Sequence, residues 1–270
     1  MGSDPLFDLD ALVADLAGTQ ASRVSRAVGR LRRRLGALRG AEYRRAVEAL
    51  CSLLYVDAAD RPDLEATLEK AAGILAGQGA RVVPILLAQM QATDIKSHFQ
   101  LALILGRIGP AALGPLRDLL ATAEDPYTRT FILYALGKMT CPEVARALPE
   151  VIGGLMHPDK EVRDTAARAL GKIGRAVPPK RLTARMRLEM FEALVRASRD
   201  SQAPVRAKAI RSLGKLASAG LLDGEQRQKV AQLARGALGE SDSYVWDNAF
   251  IVRREALETL AILETATGRP

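Results

Sequence analysis

Aromatic side chains make up only 4% of the 270 residues, and Trp246 is the single tryptophan. Runs of Val, Ile, Thr and aromatics between turn pairs, the marks of strands, are almost absent, which argues against a sheet-based fold. Cysteine is just as scarce. Cys51 and Cys141 stand 90 positions apart with no CxxC pair, so neither a disulfide framework nor a zinc centre is expected, and a reduced, cytoplasmic setting is. The two histidines, His98 and His157, are also far apart, which leaves no metal site. No stretch reaches 18 uninterrupted apolar residues, so no transmembrane segment is expected. The opening MGSDPLFDLDALVADLAG carries four Asp before the first basic residue, the reverse of a signal peptide, and Leu6 stands where a myristoylation signal needs Ser or Thr. A Gly-rich phosphate loop, HExxH and GxSxG are all missing, so the expectation is no cofactor and no enzymatic activity.

What the chain does hold is Ala, Leu and Arg in abundance and 48% hydrophobic residues, a mixture that favours helices. It also repeats itself. Residues 162–174 read VRDTAARALGKIG and residues 205–217 read VRAKAIRSLGKLA. With the glycine of ALGKIG as anchor, further copies are SHFQLALILGRIG (97–109), TRTFILYALGKMT (128–140) and VRREALETLAILE (252–264), and EATLEKAAGILAG (65–77) is a weaker one. Anchors at 106, 137, 171, 214 and 261 give spacings of 31, 34, 43 and 47, those of two-helix units that bury their apolar faces only against neighbours. One before the anchor stand Leu105, Leu136, Leu170, Leu213 and Leu260; two after it stand Ile108, Met139, Ile173, Leu216 and Leu263. With the column five before the anchor, these fall within about 60° on a helical wheel, a single buried stripe. Partner helices are expected over 80–90, 111–123, 142–156, 182–197 and 224–238. Asp125-Pro126 reads as an N-cap with Pro at the first helical position, and Asp223 with Gln226 as a capping box.

A helix written VRxxAAxALGxIG after a short acidic turn resembles the HEAT repeat, and most closely its bacterial PBS-lyase HEAT-like form, over roughly residues 62–266. The expected fold is therefore all-α: a right-handed α-solenoid of stacked helical hairpins, with residues 1–61 an N-terminal helical cap and 62–270 the repeat array. The resemblance, armadillo-like in its architecture, implies that the second helix of each pair lines a concave face. It also implies a protein-interaction scaffold, with phycobilin-lyase-like chromophore attachment as an alternative activity.

Eight before each anchor stand His98, Arg129, Arg163, Arg206 and Arg253. This column lies beside the buried stripe, so its guanidiniums are expected to hydrogen-bond turn carboxylates and free carbonyls of the adjacent repeat. The column one after the anchor is different. Arg107, Lys138, Lys172 and Lys215 lie about 120° from the stripe's centre and are expected to face solvent. Near them fall Phe99, Leu103, Phe131 and Tyr134 in the earlier copies and Arg168, Lys208 and Arg211 in the later ones. An apolar patch meeting a basic one suits a protein partner with apolar anchors and acidic residues, although solvated lysines and inward-packed phenylalanines would read the same way.

The charge is concentrated. Residues 23–45 hold nine Arg and one Glu, and residues 172–215 hold twelve basic and three acidic residues, within a chain of net +8. In 23–39, Val24, Val28, Leu31, Leu35 and Leu38 share one face, with Arg23, Arg26, Arg30, Arg33 and Arg34 covering the other. Such a helix can cap the array or touch a partner. The two basic segments also make duplex DNA an alternative ligand. Trp246, with Tyr244 and Phe250 near it in a lengthened turn, fits either a binding hot spot or a plug for the last repeat.

Overall fold

The computed structural model describes residues 8–92, 95–240 and 246–267. It is all-α among those residues, and it divides into two compact units, residues 1–115 and 116–270.

In the first unit α1 (Leu9–Ala17), α2 (Ala21–Arg34), α3 (Gly40–Ser52), α4 (Glu65–Ala76), α5 (Val83–Ala92) and α6 (Ile95–Ile108) form two layers. Helices α2, α4 and α6 pack side by side in one layer, and α1, α3 and α5 in the other. Asp8 caps α1 by accepting from the Ala11 N–H. Val24, Val28, Leu31, Leu35 and Leu38 are all buried, so the apolar side of α2 is built into this unit's own core. The helix ends at Arg34, short of the expected Arg39.

Helix α7 (Pro110–Thr122) carries the chain into the second unit, which continues with α8 (Pro126–Leu136), α9 (Leu148–Gly154), α10 (Lys160–Ala176), α11 (Ala184–Ala197), α12 (Ala203–Ser218), α13 (Gly224–Ala237) and α14 (Phe250–Thr267). Each repeated motif of this unit supplies one helix of a single layer, α8, α10, α12 and α14, each packed on the next. The layer opposite is made by the partner helices. Asp125 caps α8 and Asp159 caps α10, while Asp223 and Gln226 form the capping box of α13. One expected partner helix is broken. Over 142–156 the chain makes a 3₁₀ turn, Pro142–Ala147, before α9, because Pro142 and Pro149 each remove a backbone donor and restrict the residue before them.

In the second unit Leu136, Leu170 and Leu213 of the leucine column are fully inaccessible, and Leu260 on the last helix is partly buried. The anchors show why glycine recurs. A Cβ on Gly137 would sit 3.0 Å from the Ala169 Cα, one on Gly171 2.9 Å from the Ser212 Cα, and one on Gly214 2.9 Å from the Thr259 Oγ1. Each anchor thus faces the residue two before the next anchor, and at Gly137 and Gly171 the helices approach to backbone contact. At two of these contacts a hidden hydroxyl adds a bond. Ser212 donates to the Ala167 carbonyl at 2.8 Å and Thr259 to the Ile210 carbonyl at 3.2 Å. The same column need not do the same work in the first unit. A Cβ on Gly73, in α4, meets nothing within 4 Å.

Candidate functional site

Two polar columns leave the layer of motif helices, and they have different fates. The first is the arginine column. Arg163 grips Asp200 through Nε at 2.7 Å and Nη2 at 3.1 Å, while its Nη1 donates to the carbonyls of His157 and Pro158. Arg206 repeats this on Asp247, at 2.7 and 2.8 Å, with Nη1 on the carbonyls of Asp200 and Ser201. Each aspartate also accepts from the backbone two residues on, Gln202 N–H or Ala249 N–H. Burial alone would raise the carboxyls of Asp200 and Asp247, but these hydrogen bonds and the arginine charge outweigh it and hold both below the usual range. The column is structural, as its place beside the buried stripe suggests.

Arg253 ends the series. It donates to the Asp247 carbonyl at 2.6 Å and lies 4.2 Å over the Trp246 ring. Trp246 also rests on Gly239, whose φ of +80° only glycine adopts readily and where a Cβ would stand 3.1 Å from the indole Cδ1. The tryptophan is 48% exposed, half of it committed to this seat. Tyr244, expected beside it, lies outside the described residues.

The second column belongs to a cationic field on α8, α10 and α12. Arg168, Lys172 and Arg175 stand at i, i+4 and i+7 on α10; Lys208, Arg211 and Lys215 stand at i, i+3 and i+7 on α12. Lys138 follows the end of α8. Tyr134 lies between two of them, with the Lys138 Nζ 5.2 Å and the Lys172 Nζ 5.7 Å from its ring centroid. Only two carboxylates enter this field from within. Asp164 takes an N–H from Arg168 at 3.2 Å, and burial lifts its carboxyl above the usual range against the pull of Arg168 and Lys208. Glu255, on α14, is fully buried and pairs with Arg254 at 2.9 Å and Arg211 at 3.7 Å.

Lys172 and Lys215 form no ion pair among the described residues, and both are half-buried rather than fully open to solvent as their wheel position suggests. Burial, then the charges of Lys138 and Arg168, push the Lys172 ammonium down to about 8; burial, then Arg211 and Lys172, do the same for Lys215. A base whose folded value lies below its unfolded value of about 10.4 binds fewer protons in the folded state between those two pH values. Stability contributed by these lysines therefore rises with pH from about 8 to about 10.5. We expect the melting temperature to climb over that window, and the climb to shrink in a Lys172→Gln, Lys215→Gln double variant followed by circular dichroism.

Comparison with known proteins bears on the frame that carries these side chains. The archaeal HEAT-like repeats protein from Thermococcus onnurineus NA1 superposes with a TM-score of 0.57 at 14% identity, covering 98% of this chain and 99% of that one. The fold is that of HEAT-like repeat proteins. An engineered protein matches at a TM-score of 0.52 and 20% identity over 97% of this chain and 98% of its own. Importin beta matches at 0.59 and 15% identity, covering 96% of this chain but 36% of importin beta. In sequence, residues 113–189 match the HEAT repeats family. No curated protein matches the chain. No single helix among the described residues is long and apolar enough to cross a membrane.

On this HEAT-like frame the expected contact residues separate. Phe131 is corrected to a core residue, 2% exposed, because it points between helices beside Ile132 and Leu133. Phe99 stays 47% exposed and Leu103 is half-buried, but both belong to the first unit, as does Arg107, which pairs with Glu69 at 2.7 Å. Arg211 has a second duty as counter-ion of Glu255, so an acidic replacement there would damage the fold as well as the field. The residues that gather around one point are Tyr134, Lys138, Arg168, Lys172, Arg211 and Lys215. Arg175 joins them and was missed by the column reading, although its i+7 spacing from Arg168 was a legible signal. Glu255 was missed too; Arg254 beside it in sequence was a visible partner, but nothing in the sequence marks its second one, Arg211 on α12. In the first unit Arg23, Arg26 and Arg33 are exposed on α2, while Arg30 and Arg34 have interactions of their own.

Proposed function

We propose that this chain is a non-enzymatic HEAT-like scaffold that holds a protein partner with an acidic surface on the motif helices α8, α10 and α12. One observation carries the reading. Seven cations carried by α10, α12 and the turn after α8 share one field, with Asp164 and Glu255 the carboxylates inside it among the described residues; Lys172 and Lys215 form no ion pair there, and Lys215 feels the Glu255 charge without pairing to it. Stacked like charges partly removed from water raise the free energy of the empty protein, at about 4 kcal/mol for two charges 4 Å apart near a surface. An acidic partner removes that cost, and its capture leans on charge steering at low ionic strength. Tyr134 supplies the aromatic contact in this patch, the part of the apolar anchor set that stays with the cations.

A duplex-DNA reading draws on the whole basic segment 172–215, but the fold disperses that segment. Arg206 is consumed in a rung, and Arg185 and Arg196 pair along α11 with Glu189 and Glu192. We expect a fluorescein-labelled oligo-glutamate peptide to bind at low salt. A Lys172→Glu, Lys215→Glu variant should weaken it at least tenfold, with melting and helicity held. Binding of equal strength by the variant, or tighter binding of a DNA duplex of matched charge, overturns the assignment.

A further inference from the structure

Two ammonium groups from consecutive helices converge on one aromatic ring, and this is unusual spending of charge. The Lys138 Nζ lies 5.2 Å and the Lys172 Nζ 5.7 Å from the Tyr134 ring centroid, a weak attraction set against two like charges drawn to one place. Burial and the neighbouring charges of Lys138 and Arg168 lower the Lys172 ammonium to about 8, so above that pH the empty protein sheds its proton. Four residues before Lys172, Arg168 reaches the same place. Among the described residues its hydrogen bond is from Nη2 to Asp164, and its Nε is buried with no partner there.

The donor set defines the chemistry of what fits. A carboxylate carries one charge on two oxygens, and a phosphodiester also carries one. A phosphomonoester carries about 1.5 to 2 negative charges at neutral pH and three acceptor oxygens, enough for two ammoniums and a guanidinium together. Lysines serve it as point charges and arginine as a fork.

We propose that the acidic partner presents a phosphorylated side chain, and that its phosphate seats between Lys138 and Lys172 over Tyr134, with Arg168 as third donor. This rests on the scaffold reading above and narrows it. The field around the seat is too extended for a lone small anion: Arg211 and Lys215 face Lys172 from α12, and Arg175 and Lys208 continue it. They suit the acidic residues flanking a modified side chain. Seating the phosphate restores the proton on Lys172, so capture takes up a proton and weakens as pH rises above about 8.

The test compares three labelled octapeptides by fluorescence anisotropy, identical but for a central serine, glutamate or phosphoserine, each with four flanking glutamates. The phosphopeptide is expected to bind at least tenfold tighter than the glutamate version. Lys138→Gln or Lys172→Gln should cut that ratio to about twofold, whereas Lys229→Gln on α13 should keep it. Circular dichroism melts confirm that the variants fold. Equal binding of phosphoserine and glutamate peptides, or an undiminished ratio in Lys172→Gln, overturns the phosphate seat while the acidic-partner reading stands. Binding of none of the three overturns both.

Discussion

Replacing Gly171 by alanine is expected to lower the melting temperature by roughly 2–12 °C. An alanine in a helix interior ordinarily gains about 1 kcal/mol over glycine. Here its Cβ would stand 2.4 Å from the Ser212 Oγ and 2.9 Å from the Ser212 Cα, and the second of these is backbone. A side chain can turn away, but a backbone can retreat only if α10 and α12 part. Separation costs the overpacking penalty of about 1–3 kcal/mol or more, together with about 1 kcal/mol for the buried Ser212 bond to the Ala167 carbonyl. The net of about 1–3 kcal/mol, at roughly 2–4 °C per kcal/mol in a unit of this size, gives the expected shift. Two controls separate crowding from propensity. At Gly174 the clash at 2.3 Å is with the tip of Leu216, which can swing aside, so alanine there should cost less. At Gly73 nothing lies within 4 Å, so alanine should stabilise by about 0.5–1 kcal/mol. A Gly171→Ala protein that melts no lower than the parent would mean the α10–α12 approach is looser than described.

The second large effect belongs to Asp200. Its loss to alanine leaves the Arg163 guanidinium, whose side chain is 15% exposed, with two carbonyls and only the weaker charge of Asp159 in place of its bidentate partner. Breaking a buried pair from one side costs about 3–5 kcal/mol, and partial exposure brings this to about 2–3 kcal/mol. The turn before α12 also loses the acceptor of the Gln202 N–H. Asp200→Asn should cost about half as much, since it keeps the acceptor and drops the charge. A pH signature accompanies it. Asp200 and Asp247 titrate below their unfolded value near 3.9, so they contribute stability above that value, and it disappears as pH falls through their folded values. Urea midpoints measured from pH 6 to pH 2 should drop steeply for the parent and less for an Asp200→Asn, Asp247→Asn variant. Parallel curves would place the acid sensitivity elsewhere.

Much of the frame was legible because a periodic constraint writes itself periodically. Leucine one before the anchor, arginine eight before it and glycine at it recur because each repeat faces the same neighbour. Events that happen once left weaker marks. Ser212 and Thr259 read as ordinary small residues until the facing carbonyls are known, and Phe131 reads as exposed on a wheel that knows nothing of the helix beyond α8. Prolines 142 and 149 were visible, but the apolar spacing of 142–156 masked the break they impose. The lysine column was expected to face solvent, yet Lys172 and Lys215 are half-buried, which depends on side chains from neighbouring helices that the wheel of α10 does not contain.

The arginine rungs carry one more consequence. Asp200 and Asp247 each receive a guanidinium from the helix behind and offer a carbonyl to the arginine ahead, so each link is complete only when both neighbours are whole. Such a chain tolerates growth by duplication of an entire module, residues 160–200 for instance, since the inserted copy brings both halves of each joint. A cut within a module would sever two joints at once, which makes the rung the natural unit of inheritance for this architecture.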